Sequence, residues 1–294
     1  MKTTLVVLVL FCLVFLASVN AEAPQAIKTP AGCAPVLGAE ATESGWADRV
    51  VHEKSGIELV FIPAGTFTMG SNSPAPYEVK VALYYIGRTE VTNAQYRRFL
   101  EASGYDGKPD TDENYDLHLR HFRGESLMSA DDNYPIVWVS WHNARAFCSW
   151  AGLALPSEAQ WEWACRAGTT TRYYYGDDES KFGQYGWAIP NGGGFTHPVA
   201  QKKPNAWGIH DMHGNVWEWA EDDFAFDHYP HPQIARPNDG SARIEGRLTK
   251  SLRGGSWSNT TTAYVSGSNG RSNSAAVNAR NNVGFRVVMP LKGR

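Results

Sequence analysis

Apolar and polar positions along the chain fall into two regimes. Over residues 56–85 they fit strands. Gly56-Ile57-Glu58-Leu59-Val60-Phe61-Ile62 and Thr66-Phe67-Thr68-Met69-Gly70 read as two strands around a tight turn at Pro63-Ala64-Gly65, and Val79 to Tyr85 reads as a third. Three later segments carry helix punctuation. Thr92-Asn93-Ala94-Gln95 is a capping box whose helix runs to Gly104; Ser140 to Asn143 opens a second helix that stops at Gly152; Ser157-Glu158-Ala159-Gln160 opens a third that stops at Gly168. In such boxes the hydroxyl accepts from an orphan amide and the amide side chain reaches back. The closing glycine tolerates the left-handed turn that ends a helix. Glu162 and Arg166 stand four apart and are expected to pair on the exposed face of the third helix. After Gly168 the pattern gives turns and short strands to the end. Residues 107–134 and 225–248 read as polar loops.

The N-terminus has a different pattern. Lys2 precedes an apolar run from Leu5 to Ala17, and Ser18-Val19-Asn20-Ala21 supplies a small-x-small end. Residues 1–21 therefore read as a secretory signal peptide, and the mature protein is expected to be secreted or periplasmic. Cys12 follows Phe11 rather than a small residue, which argues against a lipid anchor on it. Residues 22–50, rich in Ala, Pro, Gly and Glu, lack periodicity and read as a flexible tether. With no repeat and no second composition regime, the rest reads as one domain over residues 51–290. No apolar stretch of about 18 residues follows the first twenty positions, so no membrane span is expected in the mature chain.

Composition narrows the function classes. Of 294 residues 43% are hydrophobic and 19% charged, enough for a core and unlike a disordered chain. A net charge of −3 offers no basic surface for nucleic acid. The 11 Trp, 13 Tyr and 28 Gly suit a fold of loops and short strands with large rings filling the gaps. Export leaves Cys33, Cys148 and Cys165, an odd number, so one disulfide with a free thiol and three buried thiols are both open. Cys148 and Cys165 fall on expected helices among apolar residues, where buried inert thiols are the default. No CxxC supports a zinc ribbon or redox dithiol. His118-x-x-His121 and His228-x-x-His231 have metal-like spacing but lie in polar loops, where such pairs are common. His142 is expected to be solvated. Asn259-Thr260-Thr261 has the form of a glycosylation sequon. No nucleophile elbow, phosphate loop or dinucleotide fingerprint is present.

Several phrases are distinctive together. They are Phe61-Ile62-Pro63-Ala64-Gly65-Thr66-Phe67-Thr68-Met69-Gly70, Glu90-Val91-Thr92-Asn93-Ala94-Gln95-Tyr96, Pro135-Ile136-Val137-Trp138-Val139-Ser140-Trp141 and Leu155-Pro156-Ser157-Glu158-Ala159-Gln160-Trp161-Glu162. Gly214-Asn215-Val216-Trp217-Glu218-Trp219, Arg253-Gly254-Gly255-Ser256-Trp257 and Gly284-Phe285-Arg286 complete the set. In this order they resemble the formylglycine-generating enzyme family, the sulfatase-modifying factors, over residues 56–290. The resemblance implies an α+β, C-type-lectin-like fold: a single domain, low in regular secondary structure, with a small twisted antiparallel sheet and helices beside it.

The enzymes resembled oxidise one cysteine of a sulfatase to formylglycine with copper, dioxygen and two cysteines that follow the Gly-Gly-Ser-aromatic motif. Those positions are Asn259 and Tyr264 here, and Ser258 to Arg271 contains no thiol. Copper(I) wants soft thiolates, so copper is not expected. The resemblance also implies a structural calcium held by Asp211, the carbonyls of Gly214 and Val216, and Glu218. Calcium takes several oxygens of mixed charge, and an extended segment would aim positions 214, 216 and 218 alike. A second family calcium position matches Trp187 to Phe195, which lacks a clear carboxylate. The family's pocket would be lined here by Ser256, Trp257, Asn259, Tyr264 and Asn282. Arg286 is expected instead to fix a terminal strand through carbonyls. The polar groups and indole suit a peptide, a glycan or a small-molecule ligand. Three functions follow as expectations. One is an exported binding or accessory protein, or an enzyme of altered mechanism. A second is oxidative tailoring of a secreted metabolite such as a siderophore. The third is formylglycine generation on a protein cysteine.

Overall fold

The three capping boxes form, and each starts a helix. In helix α1 (Asn93–Ser103) Thr92 Oγ1 accepts from Gln95 N while the Gln95 carboxamide accepts from Thr92 N. Ser140 with Asn143 does the same for α2 (Trp141–Ala151), and Ser157 with Gln160 for α3 (Glu158–Arg166). A cap of this kind contributes about 1 kcal/mol. Gly104 and Gly152 close α1 and α2 in the left-handed region. Helix α3 stops one residue sooner than its glycine suggests. Ala167 takes the left-handed position at φ 45°, and Thr169 satisfies the Arg166 carbonyl through both its amide and its hydroxyl.

The computed structural model describes residues 27–71, 76–108, 117–225 and 238–291. Residues 1–26, with the expected signal peptide, lie outside that set, as do His228 and His231. Five antiparallel strands make the first sheet in the order β1 (Cys33–Pro35), β2 (Arg49–His52), β3 (Ile57–Ile62), β6 (Tyr84–Gly87) and β11 (Val288–Pro290). Strands β4 (Gly65–Met69) and β5 (Tyr77–Val81) pair with each other. In the remaining sheet β7 (Trp217–Asp223), β8 (Thr249–Arg253) and β9 (Arg271–Ala275) run antiparallel, and β10 (Val283–Gly284) lies parallel to β7.

Strands β3 and β6 separate two cores. Leu59 and Tyr85 face a cluster with Tyr96 and Phe99 of α1, Phe147 of α2, Trp219 and Phe285. Their neighbours Val60, Ile62, Tyr84 and Ile86 face a second cluster with Phe67, Val79 and, from α3, Trp161 and Cys165. Strand alternation alone puts successive residues into different cores.

Four expectations need correction. The turn at Pro63-Ala64-Gly65 joins strands of different sheets, because the chain there folds under Trp163. A Cβ on Gly65 would lie 2.6 Å from the Trp163 ring. The strand expected from Val79 to Tyr85 is two strands, broken at Ala82 and Leu83. The tether is structured from residue 27 onward. β1 pairs with β2 (Cys33 opposite His52), Ala47 is fully buried, and the Tyr85 hydroxyl donates to Ala47 O at 2.6 Å. An unpatterned segment becomes ordered there because the β2 edge offers it a ladder. Glu162 and Arg166 do pair, but in the interior.

Glu162 is in fact a hub. Its Oε1 accepts from Gly70 N at 2.8 Å and from Arg166 Nε at 2.9 Å, and its Oε2 accepts from Arg253 Nη2 at 2.6 Å. Arg253 also donates to Gly270 O. One carboxylate thus joins α3, the end of β4 and β8. Among the described residues the cysteines add no crosslink: Cys33, Cys148 and Cys165 are free and buried. Burial pushes the Cys33 thiol up to about 11 and the Cys165 thiol up to about 12. His118 and His121 are buried structural residues. His118 Nδ1 contacts Gly107 O at 3.0 Å, and His121 Nε2 donates to Asn93 Oδ1 at 2.9 Å, since the Asn93 amide nitrogen is spent on two carbonyls.

Two predictions follow from this packing. Glu162→Ala leaves two buried guanidinium groups without their carboxylate, and urea unfolding should show a loss of about 3–5 kcal/mol. Burial pulls the His121 pKa from 6.5 to about 3. The unfolded chain binds this proton and the folded chain does not, so stability is full above pH 6.5 and falls as pH drops toward 3, by about 1.4 kcal/mol per pH unit. His121→Gln keeps a donor for Asn93. It should flatten the urea-midpoint profile across that window; an unchanged slope would remove His121 as its cause.

Candidate functional site

Strand β8 ends at Arg253, and the chain turns through Gly254 and Gly255 at φ 96° and 79°. A Cβ on Gly255 would sit 2.4 Å from Ser266 Oγ, so the turn needs both the left-handed backbone and the bare Cα. This places Ser256, fully buried, at the centre of a polar knot. Ser256 Oγ donates to Asn259 Oδ1 at 2.5 Å and lies 3.0 Å from Ser258 Oγ. Asn282 Nδ2 donates to Ser258 Oγ at 2.9 Å and approaches Ser256 Oγ at 3.4 Å. Four of the side chains close by sequence or expectation thus satisfy one another. Trp257 is packed beside them against Val216, Val137 and Met128, and its indole Nε1 is buried with no hydrogen-bond partner. Backbone contacts tie the turn to its surroundings: Asn259 O accepts from Ile189 N, and Trp257 N donates to Asn215 O. Tyr264 falls in the short helix α4 (Ala263–Ser266), and its side chain lies outside the described set.

The residues expected to hold calcium sit one strand away. Asp211, Gly214, Val216 and Glu218 are all buried. The segment is not extended, contrary to expectation. Asp211 and Asn215 have φ near +60° and Gly214 has φ 127°, so only Glu218 is in β7. Asn215 imposes the turn, with its amide bonded both ways to the His197 main chain. Gly214 is pressed onto Trp187; a Cβ would fall 2.0 Å from Trp187 O. Left-handed backbone at two non-glycine residues is strain of the kind that gathers at functional sites.

Around this turn carboxylates outnumber cations. Arg286 binds Glu218 with two bonds, Nε to Oε2 at 2.6 Å and Nη2 to Oε1 at 2.7 Å, and Trp161 Nε1 donates to the same Oε2 at 2.7 Å. Arg286 also donates to Gly87 O and His210 O, the carbonyl role expected of it. Asp211 Oδ2 accepts from Ala200 N at 2.7 Å, while its Oδ1 is buried and unpartnered. Glu90, fully buried, accepts no hydrogen bond from an N–H or hydroxyl group, and its carboxyl meets that of Asp211. Burial first, and then Asp211 and Glu218, push the Glu90 carboxyl well above its ordinary range. Arg286 answers Glu218, so Glu90 and Asp211 are neutralised either by protons, as their raised pKa values indicate, or by a cation. Orphaned buried oxygens of this kind fit a divalent cation held with help from main-chain carbonyls. Among the described residues no three His, Cys, Asp or Glu side chains form a metal-binding group by themselves. Glu90 lies in a quoted motif, yet nothing in its spacing from Asp211 reveals the approach.

Neighbouring histidines have structural roles. His213 Nε2 accepts from Tyr174 N at 3.1 Å and its ring stacks on Tyr174. His210 Nδ1 meets Lys202 O at 2.9 Å. In the stretch expected to match a second calcium position, Asn191 spends its carboxamide on Ala188 N and Gly186 O.

Comparison with known proteins agrees with this geometry. The profile of the sulfatase-modifying factor enzyme 1-like domain matches residues 48–291. The formylglycine-generating enzyme of Streptomyces coelicolor is 32% identical over 273 residues, covering 74% of this chain and 83% of that one. The structure of PvdO from Pseudomonas aeruginosa superposes with a TM-score of 0.65 at 28% identity, covering 81% of this chain and 96% of the other. Treponema denticola variable protein 1 shares the fold, with a TM-score of 0.63 at 24% identity over 79% of this chain and 95% of its own. Motif order, fold and profile agree: the chain belongs to the family of proteins with a sulfatase-modifying factor enzyme 1-like domain.

Proposed function

We propose that this chain is an exported member of the family that has lost the copper–thiolate pair and works by binding, as an accessory module or as an enzyme of altered mechanism. The observation that carries this reading is the knot at the Gly-Gly-Ser-Trp turn. Asn259 stands where the resemblance calls for the first cysteine, and its side chain is locked to Ser256. The described thiols offer no substitute, because burial holds all three above their ordinary range. Hard oxygen and amide groups with an unpartnered indole N–H suit recognition of a carbonyl-bearing peptide, glycan or small molecule. Export is supported by the apolar run from Leu5 to Ala17 with its small-residue end. Among the described residues no helix is long and apolar enough to cross a membrane.

We also propose calcium at Asp211, Gly214, Val216 and Glu218. Its support is the meeting of two buried carboxyls, Glu90 and Asp211, beside a Glu218 already paired with Arg286. A bound ion would neutralise that surplus and stiffen the turn, on which Trp257 rests through Asn215 O.

A turnover assay tests the first proposal. Residues 22–294, with copper, calcium, oxygen and a peptide carrying Cys-x-Pro-x-Arg, should show no aldehyde by mass spectrometry beside an active control enzyme. Aldehyde formation would overturn the reading and restore formylglycine generation. For the ion, calcium at 100 times its dissociation constant should stabilise the chelator-treated protein by about 2.7 kcal/mol in thermal melts. Asp211→Ala should abolish the response; no calcium response in the unsubstituted chain would refute the site.

A further inference from the structure

Before Thr249 opens β8 the chain runs through Arg243-Ile244-Glu245-Gly246-Arg247-Leu248. Residues 244–248 are all exposed, Ile244 at 60% and Leu248 at 85%, and belong to no helix or strand. Among the described residues, positions 244–246 make no hydrogen bond between main-chain groups. Side chains of β7 hold this strap instead. Asp222 Oδ1 accepts from Arg243 N at 2.9 Å, and Asp223 Oδ2 accepts from Glu245 N and Arg247 N. Buried Arg243 anchors one end, and Leu248 O accepts from Ala276 N at the other. One carboxylate therefore holds the exposed part, and a partner that competes for its main chain displaces few bonds.

An endoprotease takes its substrate as an extended strand, so helices and tight turns resist it and exposed irregular loops yield. Gly246 stands at φ 76° and, lacking a Cβ, passes to the extended form without strain. The side chains specify the class of enzyme. Arg247, with 44% of its side chain exposed, suits an acidic primary pocket. Ile244, three residues earlier, is an apolar side chain left in water, which an apolar pocket would bury. Other basic positions lack one requirement or another. Tyr85-Ile86-Gly87-Arg88 has the same spacing, but its first three residues are buried in β6. Arg123 is exposed, but main-chain bonds from Gly124 N to His121 O and from Glu125 N to Arg120 O close its turn. Lys108, Lys203 and Arg236 each precede a proline, whose ring obstructs cleavage by enzymes of this kind.

We propose that residues 244–248 are a processing site for a trypsin-class serine endoprotease with an acidic first pocket and an apolar fourth one. Arg247 enters the acidic pocket and Ile244 the apolar one. The bond between Arg247 C and Leu248 N breaks; water supplies the hydroxyl that completes the Arg247 carboxyl group and the proton that completes the Leu248 amine. The product is a two-chain protein. In it β8 still pairs with β7 and β9, Lys250 still binds Asp223, and Arg253 still binds Glu162, so the pieces stay together. Neither the Ser256 knot nor calcium enters this site.

Factor Xa, which has both pockets, is the probe, applied to the folded mature chain with trypsin beside it. Its first cut should fall after Arg247, giving by mass spectrometry a fragment that begins at Leu248. The two pieces should elute together on size exclusion and part in urea. Ile244→Asp should slow the factor Xa cut ten-fold or more and leave the trypsin cut at the same bond within two-fold. Arg247→Gln should remove both cuts; if it alters the fold, Ile244→Asp, at a side chain already in water, decides. A first factor Xa cut elsewhere, cleavage at Arg247 only after denaturation, or an unchanged factor Xa rate in Ile244→Asp would overturn the proposal.

Discussion

The buried pair of Arg286 and Glu218 is the interaction on which the rest of the structure depends. Arg286 sits between β10 and β11 and is fully buried. Four hydrogen bonds from it reach the carboxylate of β7, the carbonyl at the end of β6 and the carbonyl of His210. Trp161 of α3 binds the same carboxylate. One guanidinium thereby joins two sheets, a helix and the calcium-candidate turn. Taking two charges out of water costs more than their attraction returns unless further hydrogen bonds complete both shells, and here four bonds from Arg286 and one from Trp161 do so. Glu162 repeats the arrangement with Arg166 and Arg253 on the neighbouring side of α3. A fold with short strands and much loop is fixed by these two polar hubs as much as by its two apolar cores.

The same logic separates two polar regions. At the Gly-Gly-Ser-Trp turn the described polar side chains are used up on one another, and among them the Trp257 indole remains unpaired. Recognition there requires a ligand that displaces or joins an existing knot. Around Arg88 the polar groups are held in place by His210 but stand at 3.4–3.6 Å from their charged partners. The turn is a preorganised wall, whereas the charged groups around Arg88 are loosely paired. His210 connects both to the hub, giving its ring to Arg88 and its carbonyl to Arg286.

Local order was legible in the sequence. Each capping box specifies its helix, because the hydroxyl and the amide three residues later meet within one turn of backbone. The ordered motifs carry the family and with it the fold, and the glycines at 254 and 255 mark a turn that only they can make. What stayed hidden depends on contacts across the chain. Glu162 and Arg166 have the spacing of an exposed pair, and nothing local tells that Gly70 and Arg253 come to meet them. Glu90 reads as a residue before a cap until folding brings it to Asp211.

By itself, then, the sequence determined helix positions, family and the absence of a thiol from Ser258 to Arg271, since these rest on residue identity and spacing. Tertiary structure alone decided which charges are buried, that residues 27–50 join a sheet, and that Arg49 and Arg88 share a cleft with Trp207. Burial and pairing are set by long-range packing, and side chains from β2, β3, β6 and a distant loop have no common period along the chain by which they could announce one another.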